Sequence, residues 1–436
     1  MVTITQLANV EIQIIMHGLD IADIIRFGGC NQLFRKIAST PFAWKHTPPM
    51  KLEAENLLFA LSYSLKHMHT LASAQNSLIY NVKLEISATD VSKPYVNSMI
   101  PFFEILKEHS TRLTGLTLVQ CDFYGVMMSK LSNVIQKCTR LSSLVLDHNS
   151  FNKKGSKVLG TAIQQSGIID KLTTLHISSR IDNMDPESFD VIMDAVSHCR
   201  NLNKLKLNYN EMSTKSVLHL AKLITENESM IDLDIRSYHL GTNGLTIITE
   251  AIKTNKSIKS LKLSYFESNK DDDAWIINLT HAIETSTSLV QLQLDGIEFT
   301  QKQLQMLCKS IQRNISIVEV SFDCIEFLGE SLTVLADLLK NKKNLAKLSY
   351  SNNVISSVDA AILTDAIIQR SKSKSNNLKE LDLSWTCLNN ADALALVKAI
   401  SFHPTFVRLD LTGNHYISKQ CIAELSTIIS NASIIN

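Results

Sequence analysis

The chain is predicted to be an α/β solenoid, a curved parallel β-sheet inside and helices outside, preceded by an all-helical N-terminal domain. Three observations carry this prediction. An apolar triplet with the spacing L-x-x-L-x-L starts at Leu113, Leu141, Leu172, Leu202, Met230, Ile258, Leu289, Ile317, Leu345, Leu378 and Phe406, with starts 28 to 33 residues apart. One repeated unit therefore sets the fold. Within a triplet, Leu381 and Leu383 alternate with Asp382 and Ser384, the period of two expected of a short strand with one buried face. Beyond each triplet the period changes. Leu304, Leu307, Cys308 and Ile311 fall on one side of a helix, as do Leu394, Val397 and Ile400.

A strand, a crossover helix and a second strand in the same sheet pair in parallel and coil to the right. Strands sit about 4.8 Å apart and packed helices about 8–10 Å apart, so the stack is expected to bend with its strands on the inside. These units resemble leucine-rich repeats of the ribonuclease-inhibitor class. The resemblance runs from residue 78 to the C-terminus, about twelve repeats, with a weaker first copy at Ile79, Val82 and Leu84. In that class an Asn or Cys three residues past the last core position satisfies backbone groups of the turn. Cys121, Asn149, Asn210, Asn353 and Asn414 match it here. Tyr238, Phe266, Ile297, Ile325 and Thr386 hold the same slot and are expected not to make the same hydrogen bonds, so turn geometry should vary between repeats.

Residues 1–48 do not follow the repeat. Leu7, Ile12, Ile15 and Leu19 form a helical apolar stripe, Asp20 to Asp23 interrupts it, and Ile24, Ile25, Phe27 and Cys30 begin another. The segment resembles an F-box: Leu7, Leu19, Asp23, Ile24, Cys30, Phe34, Arg35, Ile37, Phe42 and Trp44 fall on the positions of that pattern. Ala8 replaces its Pro, Phe34 its usual Trp, and Gly28-Gly29 inserts flexible residues into a helix. The resemblance implies docking on a Skp-family adaptor, and through it a cullin ligase, by way of Leu7, Leu19, Ile24, Phe27, Cys30, Phe34 and Trp44. The other reading of the same helices is a plain cap over the end of the solenoid, which terminal repeats require. Pro48-Pro49 breaks the chain. Residues 49–77 then read as a helical linker or cap, with Leu57, Leu58, Leu61 and Leu65 on one side of a helix from Leu52 to Ala72. The solenoid fills 78–436.

Composition excludes several classes. With 43 basic side chains against 42 acidic ones and a net charge of +1, nucleic-acid binding through overall charge is not expected. No run of about 18 apolar residues occurs, which argues against a membrane span, and Met1 to Val10 lacks the pattern of a signal peptide. Eight cysteines without C-x-x-C spacing point to free thiols in a reducing compartment: the cytoplasm, the nucleus, or a host cell's cytosol for a delivered protein. His67 and His69 lie on different faces of a helix and the acidic triplet Asp271 to Asp273 reads as a solvated turn. No cofactor or metal is therefore expected. Neither a nucleophile elbow nor a phosphate-binding loop nor a zinc-protease motif occurs. A non-catalytic binding subunit is expected.

The repeat instead places a binding surface between the buried positions of each strand. Its candidate residues are Lys204, Lys206, Asp232, Asp234, Arg236 and Asp410, with Tyr209, Tyr265 and Trp385 just past their strands. Aromatics framed by charges of both signs are what protein interfaces use as anchors and steering groups. The joint resemblance implies a substrate receptor of a Skp-cullin ubiquitin ligase that holds a protein target by proximity. The alternative is an adaptor-free scaffold or an enzyme regulator whose N-terminal helices only cap the repeats.

Overall fold

The computed structural model describes residues 50–53, 84–87 and, with short gaps, 103–435. The F-box-like positions Leu7, Leu19, Ile24, Phe27, Cys30, Phe34 and Trp44 lie outside the described residues. The chain divides into two compact units, Met1–Asn210 and Glu211–Asn436, and the described residues of each follow the same repeat.

In the first unit, β1 (Met50–Glu53), β2 (Leu84–Ser87), β3 (Gly115–Val119), β4 (Ser143–Asn149), β5 (Thr174–Ser179) and β6 (Lys204–Asn208) pair in parallel and in chain order. The strand at Met50–Glu53 overlaps the start of the helix expected from Leu52. Its four residues alternate apolar and polar, which fits period two as well as the head of an apolar helical stripe. The helices Val126–Lys137, Lys153–Gln165 and Pro186–Val196 lie between successive strands.

In the second unit, β7 (Asp232–Arg236), β8 (Ser260–Ser264), β9 (Gln291–Gln293), β10 (Glu319–Ser321), β11 (Lys347–Ser349), β12 (Glu380–Asp382), β13 (Arg408–Asp410) and β14 (Ser433–Ile435) form one parallel ladder. The pairing carries no stagger: Val320 lies between Leu292 and Leu348, and Leu381 between Leu348 and Leu409. Leu292, Leu381 and Leu409 are sealed from solvent against the crossover helices, whose Leu304, Leu307 and Ile311 are equally buried. Burying one such side chain contributes about 1.5–3 kcal/mol. Several helices start at a sequence-encoded cap. Thr300 with Gln303, Ser356 with Asp359 and Asn389 with Asp392 form reciprocal capping boxes, each satisfying two orphan backbone donors. Among the described residues no helix is long and apolar enough to cross a membrane.

Two turns join each strand to its helices, and both are built from side chains that reach the neighbouring repeat. Past the strand, Asn353 Nδ2 donates to Phe322 O at 2.8 Å and Asn414 Nδ2 to Leu383 O at 2.8 Å, as Asn149 does to Leu118 O and Asn210 to Ile177 O. Phe266, Ile297 and Ile325 fill the slot as buried core residues. Thr386 keeps its bond inside its own turn, its hydroxyl donating to Leu383 O at 2.6 Å, where the Asn side chains reach the preceding repeat. Before the strand, a second ladder runs that the apolar periodicity does not reveal. Asn255 Nδ2 donates to Ile224 O and Asn227 O, and Asn314 Nδ2 to Ile283 O and Ser286 O. One repeat later Lys342 donates its ammonium to Asn314 O. Arg370, fully buried, then donates to the carbonyls of Leu339, Lys342, Lys343 and Leu345 at 2.5 to 2.9 Å.

Candidate binding face

Period two sends every second side chain of β7 to β13 away from the helices, and the unstaggered pairing aligns these side chains in lanes. One lane runs Gln291, Glu319, Lys347, Glu380 and Arg408, and the next Gln293, Ser321, Ser349, Asp382 and Asp410. A third follows directly after the strands, with Asp295 and Asp323.

The carboxylates of the last two lanes are held by short hydroxyl and amide bonds. Asp295 Oδ1 accepts from Ser321 Oγ at 2.6 Å and from the Asp323 amide at 3.0 Å. Asp323 Oδ1 repeats the arrangement with Ser349 Oγ at 2.6 Å and the Ser351 amide at 2.7 Å. Asp382 and Asp410 each take the hydroxyl and amide of a residue two positions on, Ser384 and Thr412, at 2.7 to 3.1 Å. Burial, and after it the neighbouring charges of Asp295 and Asp382, push the Asp323 carboxyl up to about 6 against its hydrogen bonds. The two cations of these lanes are paired within them, Lys347 with Glu380 at 3.2 Å and Arg408 with Asp410 at 3.1 Å.

The residue two places past the last core position adopts a left-handed backbone in repeat after repeat: His148, Tyr209, Tyr265, Gly296, Cys324, Asn352, Trp385 and Gly413, at φ between 52° and 75°. In the second unit its amide still donates to the next repeat, Tyr265 to Asp295 O at 2.8 Å, Cys324 to Ser351 O at 3.0 Å and Trp385 to Thr412 O at 2.8 Å. In these repeats a positive φ turns the chain off the sheet while finishing the ladder; at Ser237 the amide finishes it, donating to Ser264 O at 3.3 Å, without one. A side chain there costs about 1–2 kcal/mol. Two aromatics recover some of this by covering a glycine at the same station of the following repeat. An added Cβ on Gly296 would collide with the Tyr265 ring, and one on Gly413 with the Trp385 indole. The indole also meets the His415 ring edge-on at 5.4 Å and stays 51% exposed.

The other sequence candidates divide between the units. In the first, Lys204 is exposed, Lys206 half-buried, and Tyr209 tilts toward His148 with ring centroids 6.3 Å apart. Sequence reading passed over its neighbours: Asp147 takes a hydrogen bond from Ser178 and lies 2.9 Å from His148 Nδ1 and 3.3 Å from His176 Nε2. Burial opposes ionisation of Asp147, but Ser178 and the two imidazoles outweigh it and lower its pKa. In the second unit Asp232 and Arg236 are half-buried, Tyr265 likewise, and Asp410 is bonded to Arg408 and Thr412. Asp234 does not project as expected. It is 1% exposed and holds Arg236 Nε at 3.1 Å, so it positions the guanidinium. Among the described residues no group of three His, Cys, Asp or Glu side chains is arranged to hold a metal ion.

No protein-family model matches the chain. It is similar to the NACHT, LRR and PYD domains-containing protein 5 of Mus musculus, 23% identical over 379 residues that cover 85% of this chain and 28% of that one. Protein 14 of the same name in Mus musculus is 24% identical over 211 residues, 48% of this chain and 20% of the relative. Protein 13 in Homo sapiens is 26% identical over 206 residues, 47% and 19%. The chain thus spans less than a third of each relative's length. Among solved structures, an internalin from Listeria monocytogenes superposes with a TM-score of 0.41 at 17% identity, over 76% of this chain and 88% of that one. Repeat length, parallel strands paired in chain order and side chains that bond the neighbouring repeat make the described residues of each unit a leucine-rich repeat solenoid.

Proposed function

We propose that this chain is a non-catalytic protein-binding subunit that holds a protein target on the open face of its sheet and delivers it to a ubiquitin ligase. The observation that carries the binding half is the half-exposed Trp385 indole, fixed over Gly413 beside lanes of oriented charge. A rigid aromatic flanked by charges loses little conformational entropy on binding, which suits an interface anchor. The delivery half rests on the F-box-like order of Leu7, Leu19, Asp23, Ile24, Cys30 and Trp44. These residues would dock on a Skp-family adaptor, and target lysines would gain effective concentration near the conjugating enzyme. No residue of this chain performs the transfer.

The test is co-purification of the full chain with the Skp adaptor. Wild type is expected to retain the adaptor and Ile24→Asp to lose it, because a carboxylate would be buried in the contact. Retention by Ile24→Asp, or no adaptor with wild type, removes the delivery half. Trp385→Ala is expected to release the captured target while keeping the adaptor.

A second reading is an adaptor-free scaffold. The matched relatives favour it, since their names place repeats beside other domain types. It keeps the target and lacks the adaptor in the same experiment.

A further inference from the structure

We propose that the open face of β9 to β13 binds a lysine- and arginine-rich extended segment of a protein partner, across the strands. This rests on the reading of that face as a docking surface and gives its partner a chemistry. The protein as a whole is nearly neutral, yet this stretch concentrates Asp295, Glu319, Asp323, Glu380, Asp382 and Asp410, and its only cations in these lanes, Lys347 and Arg408, are already paired. Hydroxyls and amides fix the Asp carboxylates in place before any ligand arrives, so binding loses little to their ordering. The crowding has a visible cost: burial and neighbouring carboxylates raise the affinity of Asp323 for a proton. A cationic side chain relieves that repulsion.

One observation independent of the acidic lanes points the same way. Trp385, half-exposed beside Asp382 and Asp410, offers the ring face that a cation favours. The length also fits. From β9 to β13 is about 19 Å at strand spacing, which an extended chain covers in about six residues.

The test titrates a fluorescein-labelled hexapeptide of alternating Arg and Lys against the full chain at pH 7.5, with an all-Glu hexapeptide as control, by anisotropy. The basic peptide is expected to bind at least about tenfold tighter than the acidic one and to weaken as salt rises from about 50 to 300 mM. The pair Glu319→Lys and Glu380→Lys is expected to weaken it at least about tenfold. The pair Glu226→Lys and Glu250→Lys, on the outer helices, changes charge equally and is expected to cost less than about twofold. Glu319→Gln, which keeps size and fold, is expected to weaken binding about threefold. Equal binding of both peptides, or equal loss from inner and outer reversals, overturns the proposal. If the peptide fails while Trp385→Ala still releases a captured target, the basic chemistry is wrong and the docking face stands. If Trp385→Ala releases nothing, the docking reading falls, and the titration alone decides this one.

Discussion

The Trp385 indole lies flat over Gly413, the residue at the same station of the next repeat, and both hold a left-handed backbone, at φ 56° and 75°. Gly413→Ala strikes this pair twice, since its Cβ meets the ring and its φ becomes unfavourable. The expected result is a loss of about 1–2 kcal/mol from the backbone alone, read by urea unfolding, and greater acrylamide quenching of tryptophan fluorescence. Trp275, which is buried, and Trp44 contribute alike to wild type and variant, so the difference between the two reports Trp385. Unchanged quenching would show that the indole does not rest on the glycine.

Arg370 ties four carbonyls between the helix Ser331–Asn341 and β11. Arg370→Leu leaves these acceptors buried without those donors, at about 1–3 kcal/mol for each one that water cannot reach. A loss of at least about 3 kcal/mol is expected by urea unfolding, with Arg370→Lys recovering only part because an ammonium cannot span all four. Equal stability of the Lys variant and wild type would deny the fork its role.

The folded Asp323 carboxyl keeps its proton up to about pH 6, whereas the unfolded chain releases it near 3.8. Between those values the folded state binds more protons, so this group's contribution to stability falls as pH rises, and above 6 the buried charge is a standing penalty. Asp323→Asn retains an oxygen to accept from Ser349 and Ser351. The variant is expected to gain about 1–3 kcal/mol at pH 7.5 relative to wild type and almost nothing at pH 4. A gain that is larger at pH 4 would reverse the assignment.

The thiols should separate by burial. Burial pushes Cys138 and Cys199 up to about 12, and Cys308 higher still, while Cys387 is exposed. Thiolate is the reactive form, so a water-soluble disulfide reagent at pH 8 is expected to modify Cys387 within minutes and to reach the other three only on unfolding. Mass mapping of labelled peptides checks the order.

The triplet from Leu378 to Leu383 and the stripe from Leu304 to Ile311 were legible because burial imposes a period on residue type. The ladder of Asn353 and Asn414 was legible because one side chain fits it best. The left-handed station was not. It accepts His, Tyr, Cys, Asn, Trp and Gly, since it constrains backbone angles and a side chain there costs little enough for packing to offset. Arg370 hid for a related reason: its station takes an amide in Asn314, an ammonium in Lys342 one step on and a guanidinium two steps on, so donors aimed at carbonyls are shared while composition is not. On the face itself, alternation placed the charges, but whether a side chain projects depends on its neighbours. Asp234, sealed against Arg236, shows the difference.

Because the strands from β7 to β13 pair without slippage, a side chain and its counterpart one repeat away keep the same address on the surface. Exchanging a whole repeat therefore rewrites one row of the recognition pattern and leaves the rows above and below in place, so selectivity can be altered piecemeal, like type reset line by line.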